Sequence, residues 1–299
     1  MANLIMALDR VEFDSAGHKV MELDITPKVG YHDNADMMPL SIRDRPQAGA
    51  LYSNVSFATY ARGAGAPAGV VPPVDKLLLA SGMEGVTVGA TSVTYSLTPA
   101  LTFSAVDIDY YPGNTYLISG NSTVLNPTWT FTPNEPVKES WTGSGTYTAP
   151  TDASGTAATV TGALQPICKG LTFTVGGKTL NIKGATITLG NAFPDPDEDI
   201  AGTNGIQDPE LSNREVIYTT TFRLTTVAAY DIFASATAGT KTTLNAIVGS
   251  DAGNIITYNM DGYFNVEPDF GNSNGFHDIT VSCRMSDESG EDGFTIVYT

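Results

Sequence analysis

The chain has 299 residues, with 15 Lys and Arg against 32 Asp and Glu and a formal net charge of −17. The excess is general, since residues 1–150 carry 14 acidic and 8 basic side chains and the rest carry 18 and 7. Nucleic-acid binding through phosphates requires clustered cations, so this composition disfavours it. No run of 18 apolar residues is present, which argues against a membrane-spanning helix.

The composition favours an all-β fold. Thirty glycines and 17 prolines accompany many Thr, Ser, Val and Ile, which is typical of short strands joined by turns. The two cysteines, Cys168 and Cys283, are far apart and fit neither a zinc site nor a disulfide framework, so we expect buried reduced thiols. Residues 1–10 lack the basic start and apolar core of a signal peptide, and we expect folding in a reducing cytoplasm.

In the first half, alternation predicts a strand over residues 18–27, an aperiodic polar loop over 28–52 and a second strand over 55–61. Residues 74–81 follow two prolines and end at Gly82, which predicts a short helix. Further strands are predicted at 92–97, 105–111, 115–119, 128–132 and 139–148.

Residues 149–163 are rich in Thr, Ala, Gly and Ser and nearly uncharged, so we place a domain boundary there, with modules at 1–155 and 156–299. The second module predicts a hairpin over 171–180 that turns at Gly176 and Gly177, and a second long loop over 190–213. The other predicted elements are strands at 181–189, 215–224, 242–248, 254–260, 264–267, 277–284 and 294–298 and a helix at 227–236 capped by Thr225 or Thr226.

Both modules therefore show the order strand, long loop, strand, short helix and strand meander, at an offset of roughly 160 residues. The order of elements, rather than matched residues, predicts an internal duplication. A chance recurrence of generic β patterning is the alternative.

No arrangement of residues typical of an active site or cofactor site survives inspection, and we predict no catalytic, cofactor-binding or metal-binding residues. His18, His32 and His277 are scattered, and no serine or cysteine nucleophile motif is present. Asp107 and Asp109 share a strand face, but no second acid is assignable opposite them, so a solvated or interface-lining face is favoured.

Three further patterns have simple structural readings. Asp195, Asp197 and Asp199 mimic the start of a calcium loop, but Ile200 and Ile206 replace the required Gly and Glu, which leaves an acidic loop. Residues 287–292 are interpreted as a charged hairpin tip, and residues 175–178 lack the first glycine of a phosphate-binding loop. Exposed aromatic side chains at Tyr110, Tyr111 and Trp141 would suit a sugar platform, which nothing else supports.

Several segments, taken in order, resemble the tail tube proteins of long-tailed, non-contractile bacteriophages. The segments are PPVDKLLLASGM (72–83), VTYSLT (93–98), VDIDYYPGNTYLISGN (106–121), WTGSGTYTAPT (141–151) and IKGATITLGN (182–191) with the loop and strand that follow it. The likeness covers most of residues 15–299, and its weight lies in the order of the segments.

The resemblance implies two tandem β-sandwich modules, each with a short helix and a long loop, whose strands join a β-barrel shared between chains. Such proteins stack as rings of six modules, so a duplicated chain predicts a homotrimeric ring with pseudo-sixfold symmetry, and a hexamer is the alternative. Paired strand edges would be the assembly device. The resemblance also implies a virion location, assembly in the bacterial cytoplasm, and tape measure, tail terminator and distal tail proteins as partners.

The acidic composition then predicts a channel lined by carboxylates, through which DNA passes without binding. The loops at residues 28–52 and 190–213 are candidates for contacts between rings. A phage fibre, decoration protein or carbohydrate-binding β-domain is the alternative function. A β-rich hydrolase is a third, weaker hypothesis, because no catalytic residues were found.

Overall fold

The computed structural model describes residues 9–32, 47–65, 69–88, 91–98, 103–158, 164–193, 199–202, 204–207, 211–264, 269–285 and 293–299. Nearly all regular structure in these residues is β, with two short α-helices and one 3-10 turn at Pro112–Asn114. The all-β prediction is confirmed.

The first half contains nine strands and one α-helix. These elements are β1 (Arg10–Phe13), β2 (Ala16–His18), β3 (Met21–His32), β4 (Gln47–Tyr60), α1 (Asp75–Ala80), β5 (Met83–Val88), β6 (Ser92–Leu97), β7 (Val106–Tyr111), β8 (Tyr116–Phe131) and β9 (Lys138–Asp152).

The second half contains eleven strands and one α-helix. These are β10 (Thr172–Val175), β11 (Lys178–Thr179), β12 (Ile182–Thr188), β13 (Asn191–Ala192), β14 (Asn213–Arg214), β15 (Ile217–Arg223), α2 (Ile232–Thr237), β16 (Thr242–Val248), β17 (Ile256–Phe264), β18 (Asp269–Ser273), β19 (Phe276–Met285) and β20 (Phe294–Tyr298). The boundary predicted at residues 155 and 156 lies between β9 and β10.

One sheet, which we call the long sheet, runs through both halves of the chain. Its strands pair antiparallel in the order β3-β4-β9-β8-β12-β15-β19-β18. The first four strands come from the first half and the last four from the second, and β8 and β12 form the seam between them. Beside the beginning of β8, the strands β7, β1 and β2 extend the sheet.

The second layer, the short sheet, has the order β5-β6-β20-β17-β16-β10-β11. Here the final strand of the chain, β20, lies between β6 of the first half and β17 of the second. The end of β17 crosses over to pair with β19, so all these strands form one continuous ladder of 18 strands. The halves therefore share both layers of the fold.

The core lies between the two sheets and is rich in aromatic side chains. Trp129 of the long sheet packs against Phe294 and Tyr258 of the short sheet, with ring centroids 5.5 and 6.2 Å away. Trp141 meets Trp129 edge-on at 6.4 Å, and both indoles are fully buried. Burial of such large side chains supplies the main favourable term for holding the layers together.

The predicted strands and loops needed correction at several points. Residues 28–32 and 47–52, predicted as loop, continue β3 and β4, because the charged and glycine residues of an edge strand hide its alternation. Residues 115–119 and 128–132 belong to the single strand β8, which a bulge near Ser122 interrupts. The strands β1, β2, β5, β13, β14 and β18 were not predicted, and residues 265–267 of a predicted strand lie outside the described part.

Both helices exist, but the second begins later than predicted. The first matches the prediction closely, since α1 spans Asp75–Ala80. Before α2, the Thr226 carbonyl accepts hydrogen bonds from the Ala229 and Tyr230 amides in a turn. The N-cap is Asp231, whose carboxylate accepts a 2.9 Å hydrogen bond from the Ala234 amide. Threonine at 225 or 226 is therefore not the cap.

The core also holds a fully buried carboxyl group, Glu139 on β9. Its Oε2 accepts a 2.8 Å hydrogen bond from the Thr59 hydroxyl, which in turn accepts one from the Trp141 indole at 2.9 Å. The hydroxyls of two buried tyrosines, Tyr258 and Tyr298, have no hydrogen-bond partner among the described residues. Burial raises the pKa of Glu139 to about 7, and hydrogen bonding from Thr59 and the Trp129 indole opposes this shift.

Glu139 predicts a pH dependence of folding stability. An unfolded chain releases this proton near pH 4.5, whereas the folded chain holds it until about pH 7. The contribution of Glu139 to stability is therefore full below pH 4.5 and falls by about 3 kcal/mol as the pH rises to 7. We expect Glu139→Gln to remove that slope, as measured by denaturant unfolding of unassembled protein at several pH values. Equal slopes for the two proteins would contradict the assignment.

Candidate functional site

The long sheet ends in two strands that have no outer partner among the described residues. At one margin, β3 pairs only with β4, and at the other, β18 pairs only with β19. Unpaired N–H and C=O groups along a strand are a template for pairing with another chain. These two margins are the strongest candidates for a functional surface.

An exposed aromatic cluster lies beside the β18 margin. Phe270 on β18 is 56% exposed and stacks on Phe233 of α2, with ring centroids 6.1 Å apart. Phe276 is also exposed, and the Arg223 guanidinium lies 3.8 Å from its ring centroid. Large apolar side chains grouped at a sheet margin are typical of a surface that another protein covers.

The face of the long sheet that points away from the core is rich in hydroxyl groups. Cross-strand pairs on this face include Thr219 with Ser282 and Thr221 with Thr280, whose hydroxyl oxygens are 2.9 and 2.8 Å apart. The alternate positions on these strands face the core, so the face is polar by register. Its other members include Asn54, Ser56, Asn126, Thr128, Thr130, Thr142 and Thr186.

Most cations on this polar face are paired with carboxylates. Lys138 lies 3.0 Å from Glu22, Arg284 lies 3.2 Å from Glu215, and Arg223 lies 4.0 Å from Asp278. These three cations are neutralised locally, whereas Lys28 at the β3 margin has no ion pair among the described residues. The face is therefore uncharged over much of its area, with extra carboxylates such as Asp24 towards β3.

A groove of about 480 Å³ crosses the polar face next to the β3 margin. Its floor is polar, and its lining includes Asp24, Lys28 and Asn54, with Phe193 as the aromatic member. Phe193 packs edge-on against Phe103 at 5.5 Å. The groove lacks the paired aromatic platforms that sugar binding would favour.

Described parts of the two predicted long loops meet beside β4. The Leu51 amide donates a 3.0 Å hydrogen bond to the carbonyl of Asn204, whose side chain donates to the Tyr147 carbonyl at 3.3 Å. Residues 33–46, 194–198 and 208–210, which hold most of both loops' acids, lie outside the described residues. A role of these loops in contacts between rings stays a prediction.

Asn191 ties the start of the second loop to the first half. Its amide donates hydrogen bonds to the carbonyls of Ser81 and Leu125 at 2.8 and 3.1 Å. Its carbonyl oxygen accepts one from Arg214 Nε at 2.9 Å. This buried side chain therefore holds the end of α1, the strand β8 and the short pair β13–β14 together.

Asp107 and Asp109 have an acidic partner that the sequence did not identify. Strand β1 places Glu12 directly opposite Asp109 on β7, and Asp14 lies beside Asp107. Burial raises the pKa of Asp109, the hydrogen bond from Ser119 opposes this shift, and the charges of Asp107, Glu12 and Asp14 add to it. The position of Glu12 opposite Asp109 could have been predicted only if residues 10–13 had been recognised as a strand.

The remaining sequence predictions have mixed outcomes. Cys168 and Cys283 are free and buried, as predicted, and burial raises the pKa of Cys168 to about 11. The idea of exposed aromatic platforms is wrong for Trp141, which is fully buried in the core, and for Tyr111, which is 7% exposed because Gly155 covers its ring, while Tyr110 is half-buried. Gly176 and Gly177 form the predicted hairpin turn with positive φ of 57° and 71°.

Other candidate ligands remain apart in the structure. His18 on β2 packs against Phe13 of β1, and His277 lies on β19. The side chain of His32 lies outside the described part. Asp199 caps a turn by accepting from the Ala201 amide at 2.9 Å. The other two acids of the calcium-loop-like pattern, Asp195 and Asp197, lie outside the described residues.

Residues 287–292, predicted as a hairpin tip, also fall outside the described residues. The strands that they connect, β19 and β20, belong to different sheets and do not pair in the described part of the chain. The hairpin interpretation is therefore wrong, because β20 crosses to the short sheet instead of returning beside β19.

The described residues contain neither a metal-binding cluster nor a membrane-spanning helix. No group of three or more His, Cys, Asp and Glu there is arranged to hold a metal ion. Within the same residues, no helix is long and apolar enough to cross a membrane.

Comparison with known proteins gives one family match. Residues 56–292, well over half of the chain, match a family model described as phage tail tube protein. No curated protein matches the chain.

The acidic pair predicts that replacing Asp109 stabilises the chain. Like charges on directly opposed residues are destabilising, and an asparagine still accepts from Ser119. We expect Asp109→Asn to raise the free energy of unfolding by roughly 0.5 kcal/mol at pH 7, and less as the pH falls. Asp152→Asn, on the exposed end of β9, is the control with no expected gain. Denaturant unfolding measures both, and a loss of stability in Asp109→Asn would contradict the reading.

Proposed function

Because this chain belongs to the phage tail tube protein family, we propose that it polymerises as stacked rings into the tube of a long-tailed, non-contractile phage. The family is one of structural virion components, and we propose no enzymatic role. The observation that carries the proposal is the pair of open margins, β3 and β18, on opposite sides of one continuous sheet.

Different margins at the two sides favour a ring over a symmetric dimer. If β3 of one copy pairs with β18 of the next, the contact is heterologous, and repetition of the same rotation closes a ring. Closure would pair the β3 and β18 margins, which removes these two strand edges as sites of aggregation. The long sheets would then form a barrel, with the short sheets outside it.

The strand count supports three chains in each ring. Each half of the long sheet contributes four strands, with the same connections in the same order. Three chains would give a barrel of 24 strands with pseudo-sixfold symmetry. The internal duplication that this symmetry requires remains part of the proposal.

The polar face of the long sheet would line the channel. DNA adheres to free cations, and three cations of this face already have carboxylate partners. The wall would thus be largely hydroxyl-bearing with charges of both signs, which modifies the expectation of a channel lined by carboxylates. Such a wall lets DNA pass into the host during genome ejection without specific binding.

The remaining parts of the proposal follow from this role. The tube would extend by ring-to-ring contacts and meet tape measure, tail terminator and distal tail proteins, after assembly in the bacterial cytoplasm. Burial of Trp141 and Tyr111 removes the basis of the carbohydrate-binding alternative.

The proposal predicts that purified protein forms tubes at high concentration. Negative-stain microscopy with rotational averaging should show rings with a central channel and three chains each. A protein that stays monomeric at high concentration, and shows no rings, would contradict the proposed function. Six chains in each ring would contradict only the trimer.

The channel wall predicts that new cations retain DNA. Thr130→Lys with Thr142→Lys adds unpaired cations to the polar face, whereas Thr94→Lys with Thr257→Lys adds them to the outer face of the short sheet. We expect tubes of the first variant to slow DNA passage, with a steep dependence on salt, and the second to behave like the wild type. Equal behaviour of the two variants would contradict the assignment of the channel face.

A further inference from the structure

The seam inside the chain provides a pattern for the contact between chains. At this seam, β8 and β12 pair with Thr128 opposite Thr188, Trp129 opposite Ile187 and Thr130 opposite Thr186. Strand β12 begins the second set of four strands, as β3 begins the first. Strand β8 ends the first set, as β18 ends the second.

The registers of the two sets identify equivalent residues. Thr130 pairs with Lys138, which faces Tyr60 at the end of β4. Gly271 pairs with Asp278, which faces Arg223 at the end of β15. Tyr60 and Arg223 are the last residues of β4 and β15, which occupy the same place in the two sets. Gly271 is therefore the equivalent of Thr130.

The same count applies to the opening strands of the two sets. Thr186 pairs with Thr219, and Asp24 pairs with Ser56. Ser56 and Thr219 are equally distant from the ends of β4 and β15. Asp24 is therefore the equivalent of Thr186, which faces Thr130 at the internal seam.

Sequence matches support this equivalence independently of the hydrogen-bond register. Pro127-Thr-Trp129 at the internal seam corresponds to Pro268-Asp-Phe270, with the proline and the aromatic residue kept. Ile187 and Thr188 likewise correspond to Ile25 and Thr26. Both strands of the seam thus have a counterpart at an open margin, in the same register.

We propose that β3 of one copy of this chain pairs antiparallel with β18 of the next, with Asp24 opposite Gly271, Ile25 opposite Phe270 and Thr26 opposite Asp269. This inference rests on the proposed ring and specifies its contact. A second copy of this chain thus covers the β18 margin.

The chemistry of the residues suits this register. Ile25 is half-buried against the core, so pairing places it beside Phe270, which is 56% exposed in the single chain. Asp24 and Thr26 alternate with it and fall on the polar face with Asp269 and Gly271. A shift by one residue would put Phe270 beside a polar side chain, so the apolar pair fixes the register.

Cysteine cross-linking tests the register directly. The variant with Asp24→Cys and Gly271→Cys carries both thiols on the polar face, and a Cβ added at Gly271 has no atom within 4 Å. Since the thiols lie at opposite margins of one chain, mild oxidation should cross-link only neighbouring copies. On a denaturing gel without reductant we expect dimers and closed trimers from most chains in the tubes.

A register-shifted pair is the matched control. In Lys28→Cys with Gly271→Cys, the first thiol lies four residues further along β3, roughly 13 Å away, beyond the reach of a disulfide. Thr26→Cys with Asp269→Cys is a second in-register pair, for use if the first variant does not assemble. The buried native cysteines, Cys168 and Cys283, should not contribute.

The outcomes separate the contact from the function. Wild-type protein that forms no tubes would overturn the proposed function itself. Tubes in which the shifted pair cross-links, or in which both in-register pairs stay single, would overturn only the proposed contact. Tubes with covalent trimers from the in-register pairs alone would support both.

Discussion

The central constraint on this fold is that the open edge of a long strand carries N–H and C=O groups that need hydrogen-bond partners. In this chain the long sheet satisfies that need internally from β4 to β19 and leaves it unmet at β3 and β18. Pro27 and the charged residues around it are typical of an edge strand in a soluble protein. Because the two open margins differ, the proposed pairing of β3 with β18 would give each copy the partner that it lacks.

The two faces of the long sheet divide the remaining tasks. Trp129, Trp141 and the short sheet form a dry aromatic core on one face, which fixes the shape of each subunit. The other face carries threonine and serine hydroxyls and ion-paired cations, which would suit the proposed channel wall. Glu139 shows that the core also contains a titratable group, so subunit stability and pH are linked.

The sequence predicted the element types well and the contacts poorly. Alternation identified β4, β6, β15, β16 and β20, and proline with glycine bounded α1, because these signals are local. The edge strand β18 was missed, since Gly271, Asn272 and Ser273 carry no alternation that a single sequence reveals. Glu12 opposite Asp109 and the seam of β8 with β12 depend on pairing between distant segments, which no local pattern encodes.

Hydrogen–deuterium exchange before and after assembly tests the central claim most directly. If neighbouring copies complete the long sheet, exchange of backbone amides in peptides covering residues 22–26 and 269–273 should slow by orders of magnitude in the tube. Amides in the middle of the sheet, such as those of β12, should change little, because they are already paired. Unchanged, rapid exchange at both margins in fully assembled protein would contradict the account.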